Sequence, residues 1–600
     1  MPAYPIQYIP YRQEREPRRR AAITRVDLNL DAFSDEEIQI IGHLIDAAEI
    51  MNPIFRDQFD PRTEELKRIV VAVQELCNEE ERQKLSDYLT VLNLQNSAYS
   101  LLPRKNAILD IEPGRLKELF AQLPEGDDEE REEIFSLMIK GSDTPDTANF
   151  YPHDITEEEI EELGDAAKIV NSSVVRDAEG DLYVVYNEDR YSETLLAAID
   201  HIQAARDLVK DPGLRLHLDA KLIELQTGFD EARRLADYTW VRHNAPIDIV
   251  ISTALEVYLD NVKNYHGAAS AGVYLRNESA EELLNALVGH VEYWEKNAPW
   301  DFRKETIRPE TLPKLKFVDV ATWAGDYVTG PFTTIAQSLP NDEWVGKEVG
   351  TVNMVYMNTG RAIHSVSGNL AAAEFLTKAE FDKVKDVLFD ANQLHSALHE
   401  IGHTTGRQAP EASEGQPSNY LAEEYSFLEE SRAELFGLFA LKKLVEDGII
   451  DQTKADACYD GMLITMLTSM KFDPVQAHNK ARNGMFHSLE KMGVIQRVEE
   501  DGKMRFAVVH NKAHEAVCEL LKNVGNIKAH GDKQAATKLR EETVFTDPLK
   551  QEIEERTSDF PLGRGLIFPT LKQVDGHYTR ELVYPDNFND QPKFNLEMLD

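Results

Sequence analysis

Five residues, His399-Glu400-Ile401-Gly402-His403, constrain this chain more than any other stretch. Side chains four apart on an α-helix lie one above the other, so a helix here sets two imidazole nitrogens on one metal ion while Glu400 points into the same cleft. That is the pattern of zinc hydrolase chemistry. A chance HExxH in a 600-residue chain with 17 histidines has odds of about one in twenty, so its surroundings decide. Ala391 to His403 is rich in Leu, Ala, Gln and Glu, contains no Pro, and is followed by Gly406 as a C-terminal stop, which predicts a helix. His395, one turn earlier, offers a rival pair with His399, but Glu400 fits only the later pair.

A catalytic zinc takes three protein ligands and keeps one position open, and with two histidines the third is usually a carboxylate on a nearby helix. Asn419 to Glu446 carries apolar residues at Leu421, Tyr425, Leu428, Leu435 and Phe439, with acids at its start and lysines near its end, which predicts that helix. Its candidates are Glu423, Glu424, Glu429, Glu430 and Glu434. Glu423 stands 20 positions after His403, near the spacing of thermolysin-like zinc enzymes, whereas Glu430 stands 27 after. Spacing favours Glu423. A ligating histidine gives its other N–H to a second carboxylate, and Glu430 has Glu434 one turn away for that purpose. This favours Glu430.

The HEIGH block and Glu429-Glu430-Ser431-Arg432-Ala433-Glu434 resemble the dipeptidyl peptidase III family of zinc metallopeptidases, in which a His-Glu-…-Gly-His helix precedes a Glu-Glu-Cys/Ala-Arg-Ala-Glu/Asp helix. Gln476-Ala477-His478-Asn479-Lys480-Ala481-Arg482 is similar to the family's Gln-Ala-His-x-x-Ala-Arg segment. The resemblance implies one zinc ion per chain on His399, His403 and Glu430, with Glu429 and Glu434 behind them. It implies that Glu400 and His478 serve catalysis and that Arg482 helps to hold the peptide. Leu255-Glu256-Val257-Tyr258 resembles the family's Glu-x-Tyr segment, which makes Glu256 the binder of the substrate amine and Tyr258 a support for the reacting carbonyl. Ser338-Leu339-Pro340-Asn341 resembles its Asn-x-Pro-Asn loop, with Ser338 replacing the first Asn and Asn341 binding peptide backbone. This chain has five residues where most of the family has HExxGH; five is the ordinary i, i+4 spacing of a helix.

The formal charge of −41, from 106 acids against 65 bases, disfavours nucleic acid and anionic membranes and suits a cleft that receives cationic peptides. Cys77, Cys458 and Cys518 are far apart and lack CxxC spacing, so neither a disulfide framework nor a thiolate metal site is implied. No run of 18 apolar residues occurs, and a soluble cytoplasmic protein is expected, monomeric or homodimeric, acting on oligopeptides.

Along the chain, Phe33-Ser34-Asp35-Glu36-Glu37-Ile38 reads as a capped helix start, with Ser34 and Glu37 as a capping box. The acidic runs at 127–133 and 157–162 read as solvated helix faces. Residues 172–186 read as a β-hairpin, and strand-like text follows at 247–252, 317–322 and 351–357. Asp473-Pro474 reads as the start of the helix bearing His478.

The expected fold is α+β and mostly helical. Two lobes flank a substrate cleft, a helical zinc-binding lobe and a mixed lobe with a β-barrel. The expected division is a flexible tail over 1–27, mixed lobe over 28–276 and zinc lobe over 277–322. The peptide-binding strands of the mixed lobe follow over 323–369, then the catalytic helices over 370–565 and a return to the mixed lobe over 566–600. The expected activity is release of dipeptides from a free N-terminus. The alternatives are a zinc endopeptidase or aminopeptidase of the same fold, and a non-catalytic zinc-containing peptide-binding protein.

Overall fold

The computed structural model of the chain describes residues 7–13, 19–99, 107–124, 126–140, 148–256, 259–260, 262–263, 265–301, 314–328, 336–406, 421, 424–471, 477–541, 547–560 and 563–584. Helices predominate. They are gathered around two main hydrophobic cores, which correspond to the two lobes.

The first lobe opens on strands rather than on a tail. β1 (Gln7–Gln13) and β2 (Arg19–Arg25) pair antiparallel; β1 also pairs with β3 (Ala107–Ile108), and β2 runs parallel to β13 (Gly563–Ile567). Ala22 and Ile23 are buried. This corrects the flexible tail expected over 1–27. Besides pairing with each other, β1 and β2 each take a partner far away in sequence, which local composition does not register.

Helix α1 (Asp35–Glu49) starts as its sequence dictates. Ser34 Oγ accepts from the Glu37 amide at 3.3 Å, and the Ser34 amide donates to Glu37 Oε2 at 2.7 Å. The β-hairpin is formed by β4 (Ser172–Arg176) and β5 (Leu182–Tyr186).

The main sheet of this lobe has five strands in the order β6 (Ile247–Glu256), β7 (Ala268–Arg276), β8 (Lys314–Gly325), β10 (Val352–Tyr356), β9 (Ala336–Leu339). Its pairs are antiparallel except β8 with β10. Alternate residues serve opposite faces: Val273 and Leu275 join the core under α1, while Tyr274 stacks with Tyr356 beside Trp240 and Trp323. With both faces covered, the sheet stays open, and β6 and β9 are its edges among the described residues. The expected barrel gives way to this sheet. β8 also belongs here, so residues 314–322 lie with the mixed lobe rather than with the zinc-side helices that 277–322 was expected to join.

The second lobe is helical. Its elements used below are α2 (Glu278–Asn297), α3 (Lys378–Val384), α4 (Leu388–Thr404), α5 (Tyr425–Glu446), α6 (Gln452–Ser469), α7 (Ala477–Lys491) and α8 (His510–His530). Leu394, Ala397, Leu398 and Ile401 of α4 share a core with Leu428, Leu435, Phe436 and Leu438 of α5. Gly402 marks the close approach, since a Cβ there would stand 3.2 Å from the Ala433 Cα and from the Phe436 side chain. A bare backbone at this point lets the two helices meet face to face. At the other end of α4, Gln393 donates to the Tyr356 carbonyl of β10 at 3.2 Å, joining the helix to the sheet.

Candidate metal centre

The α4–α5 contact brings together atoms that only a cation can satisfy in common. His399 Nε2 and His403 Nε2 stand 3.0 Å apart. Glu430 Oε2, from α5, lies 3.3 Å from the first and 3.8 Å from the second. Ligand atoms at tetrahedral corners around zinc, with bonds of ~2.0–2.1 Å, are separated by about 3.3–3.4 Å. Glu430 Oε2 is buried and makes no hydrogen bond. Two imidazoles of an i, i+4 pair and one carboxylate oxygen thus stand 3.0–3.8 Å from one another, near the separations that the ligands of one metal ion keep.

Each histidine is fixed from behind. His403 Nδ1 donates to Glu429 Oε1 at 2.7 Å, and His399 Nδ1 lies 3.4 Å from Glu434 Oε2. A carboxylate at Nδ1 settles the tautomer and leaves the Nε2 lone pair free for a metal. The carboxylates are themselves held. Arg432 donates to both oxygens of Glu429, at 2.7 and 3.3 Å, and buried Lys528 of α8 also donates to Glu429. Arg482 donates to Glu434 Oε1 at 2.8 Å.

Burial alone would raise the acid pKa values and lower that of His399, yet the reverse prevails. Against that burial, Arg432, His403 and Lys528 hold Glu429 well below the usual carboxylate range, and Arg482 and His399 do the same for Glu434. Burial likewise opposes a charge on His399, but Glu430 and Glu434 push it up to about 10. The pocket demands positive charge at His399, and a proton or a metal cation can supply it.

The remaining expected residues are distributed as follows. Glu400 is partly exposed, one residue after His399. His478 of α7 places Nδ1 3.1 Å from Glu430 Oε2, and His399, Glu430 and His478 make a group able to hold a metal. The His478 side chain is 50% exposed, whereas those of His399 and His403 are each clamped by a carboxylate at Nδ1. His395 turns away, with Nε2 3.1 Å from the Glu434 carbonyl and Nδ1 3.8 Å from Glu434 Oε2. Glu256, at the end of β6, and Asn341 are brought together, Asn341 Nδ2 donating to Glu256 Oε1 at 3.4 Å. Burial raises the Glu256 pKa. Ser338 pairs with Asn353 through the β9–β10 ladder. Tyr258, Glu423 and the Asp473-Pro474 start of the His478 helix lie outside the described residues.

Sequence reasoning missed Lys528 and Glu295. Lys528 sits in α8 within no motif, and nothing in the sequence singles it out. Glu295 of α2 accepts the Gly406 amide at 2.7 Å, tying down the end of α4. Arg432 lay within the quoted block, but its grip on the Gly402 and Thr405 carbonyls, at 2.7 and 2.9 Å, was not legible.

Paired histidines one helical turn apart, a facing glutamate and carboxylates behind them make a site of the metallopeptidase class. Comparison with known proteins gives the family likeness. Residues 165–431 match the family model of Peptidase family M49, a span that contains His399, Glu400, His403 and Glu430. The solved structure of DPP III from Caldithrix abyssi superposes with a TM-score of 0.74 at 24% identity, covering 91% of this chain and 97% of that one. Dipeptidyl-peptidase III from Corallococcus sp. strain EGB gives a TM-score of 0.63 at 23% identity, covering 91% and 95%. A curated relative, Nudix hydrolase 3 of Arabidopsis thaliana, is 26% identical over 589 residues, which is 90% of this chain and 73% of the plant protein. The resemblance to the dipeptidyl peptidase III family read from the motifs is borne out by the family match and the fold. No helix among the described residues is long and apolar enough to cross a membrane.

Proposed function

We propose that this chain is a zinc-dependent dipeptidyl peptidase that removes dipeptides from the free N-terminus of oligopeptides. The observation that carries the reading is the convergence of His399 Nε2, His403 Nε2 and Glu430 Oε2, with both histidines oriented by carboxylates. Zinc on these three atoms would polarise the scissile carbonyl and acidify a water. Glu400 takes the proton from the attacking water and returns it to the leaving amine. His478, at the exposed margin of Glu430, and Tyr258 stabilise the oxyanion.

Cutting after the second residue requires an anchor for the amine about 7 Å of extended chain from the reacting carbonyl. Glu256 and Asn341 fill that role, with Ser338 three residues before Asn341 on β9. A carboxylate whose ionisation is opposed by burial gains most when a substrate ammonium pairs with it. Arg482 positions Glu434 and, where the cleft is open to it, the peptide. We assign the protein to the cytoplasm, as a monomer or homodimer.

Mass spectrometry of products from an octapeptide with a free N-terminus and from its acetylated twin tests this reading. Sequential dipeptide loss from the free peptide alone, abolished in Glu400→Ala, is expected. Internal cuts in both peptides would make the protein an endopeptidase. No cleavage by zinc-loaded wild type would make it a peptide-binding protein.

A further inference from the structure

Away from the His399 site, the helical lobe gathers another set of side chains able to ligate a metal around the buried Asp460. Glu380 on α3, Asp460 on α6 and His510 at the start of α8 each offer one ligand atom, and these atoms all lie within 4.8 Å of one another. Asp460 is fully buried. Its Oδ1 accepts from His510 Nε2 at 3.2 Å, but its Oδ2 is buried and makes no hydrogen bond, and the same holds for Glu380 Oε2. Two carboxylates that share a water-poor space, each with an unanswered oxygen, are costly unless something positive lies between them.

The nearest lysine does not supply that charge directly. Lys383 donates to Asp456 Oδ2 at 2.6 Å, and Gln452 donates to Asp456 Oδ1 at 2.8 Å, so the neighbouring acid one turn before Asp460 has its own partners. His510, 3.2 Å from Asp460 Oδ1, also stands 4.0 Å from Asp456 Oδ2, so its one charge would be shared among several acids.

We propose that Glu380, Asp460 and His510 form a second divalent-cation site, of zinc-type preference, that clips α3, α6 and α8 together. The donor set selects the class of ion: carboxylate oxygens alone would admit calcium or magnesium, whereas an imidazole nitrogen favours a transition-metal ion. The ligands of such an ion are all protein groups of one lobe, and the site needs no peptide. Its place in the fold gives it a task. The opposite side of α6 meets α4, where Cys458 donates to the Ala391 carbonyl at 3.3 Å, so an ion that fixes α6 also steadies the helix bearing His399 and His403.

The test is metal stoichiometry of the full chain, stripped with chelator, reloaded with Zn2+ and freed of excess by gel filtration. Two equivalents per chain are expected for wild type. Asp460→Asn and His510→Gln should each bind one, and a His399→Gln/His403→Gln double variant should also bind one, retained at the second site. His510→Gln, at a partly exposed position, keeps the test usable if Asp460→Asn does not fold. Wild type saturating at one equivalent would overturn the proposal and leave a shared proton as the answer to the two carboxylates. Two equivalents in both single variants would overturn it equally. The proposal does not rest on peptidase activity, and none of these readouts measures it.

Discussion

His403 and Glu429 stand 2.7 Å apart, Nδ1 to Oε1, across the gap between two helices, and the carboxylate is gripped from its other side by Arg432 and Lys528. The imidazole is oriented by a group that is itself immobile. Glu429→Gln keeps the volume and removes the charge. Metal affinity, measured by competition with a chromophoric chelator, should fall by about 10–100-fold. An unchanged affinity would mean that packing alone orients His403.

Loss of metal should be coupled to protons. In the metal-free protein, burial works against a charge on His399 but Glu430 and Glu434 hold its pKa at about 10. Zinc must displace that proton, so binding at pH 7.5 should release about one proton, seen in calorimetry as an enthalpy that changes with the buffer's ionisation heat. The sign for stability follows from a folded pKa above the ordinary 6.5. This contribution to apoprotein stability is complete below pH 6.5 and is lost as pH rises to about 10. A melting temperature of the apoprotein that climbs over that interval would contradict it.

Gly402 should not tolerate a methyl group. Alanine gains ~1 kcal/mol of helix propensity, but its Cβ would press on the Ala433 backbone at 3.2 Å, and overpacking of this kind costs about 1–3 kcal/mol. Gly402→Ala is expected to lower the melting temperature and to weaken metal binding as α5 is pushed from α4. Equal or higher stability with unchanged affinity would show that the helices can part at no cost.

Glu256→Gln should weaken recognition of the substrate amine. A charge-assisted hydrogen bond contributes ~1.5–3 kcal/mol, so kcat/KM for a free N-terminal peptide should drop about 10–150-fold. The loss should fall on KM, with metal content unchanged. If the drop is the same for acetylated and free peptides, Glu256 is not the amine anchor.

The metal helix was legible because its signals are local. The spacing of His399 and His403, the helix formers around them and the stop at Gly406 all lie within one stretch, and α4 runs from Leu388 to Thr404 as they require. The approach of Glu430 to His399 was not legible from spacing, because it depends on how α5 crosses α4, where Gly402 lies against Ala433. β1 and β2 escaped notice for a related reason: Pro- and Arg-rich text does not announce strands, and their outer edges are covered by partners near residues 107 and 563. The described strands are ordered in open sheets, and alternation within each strand does not encode that order. Lys528 was invisible because an isolated lysine in an amphipathic helix reads as solvent-facing, and only the buried charge of Glu429 turns it inward.

The parallel pairing of β2 with β13 makes the chain a closed circuit, and that has a cost in time during synthesis. Ala21 leaves the ribosome long before its partner Gly563, and at ~5–20 residues per second the interval is roughly half a minute to two minutes. For that period the β2 edge is unpaired, open to any other strand.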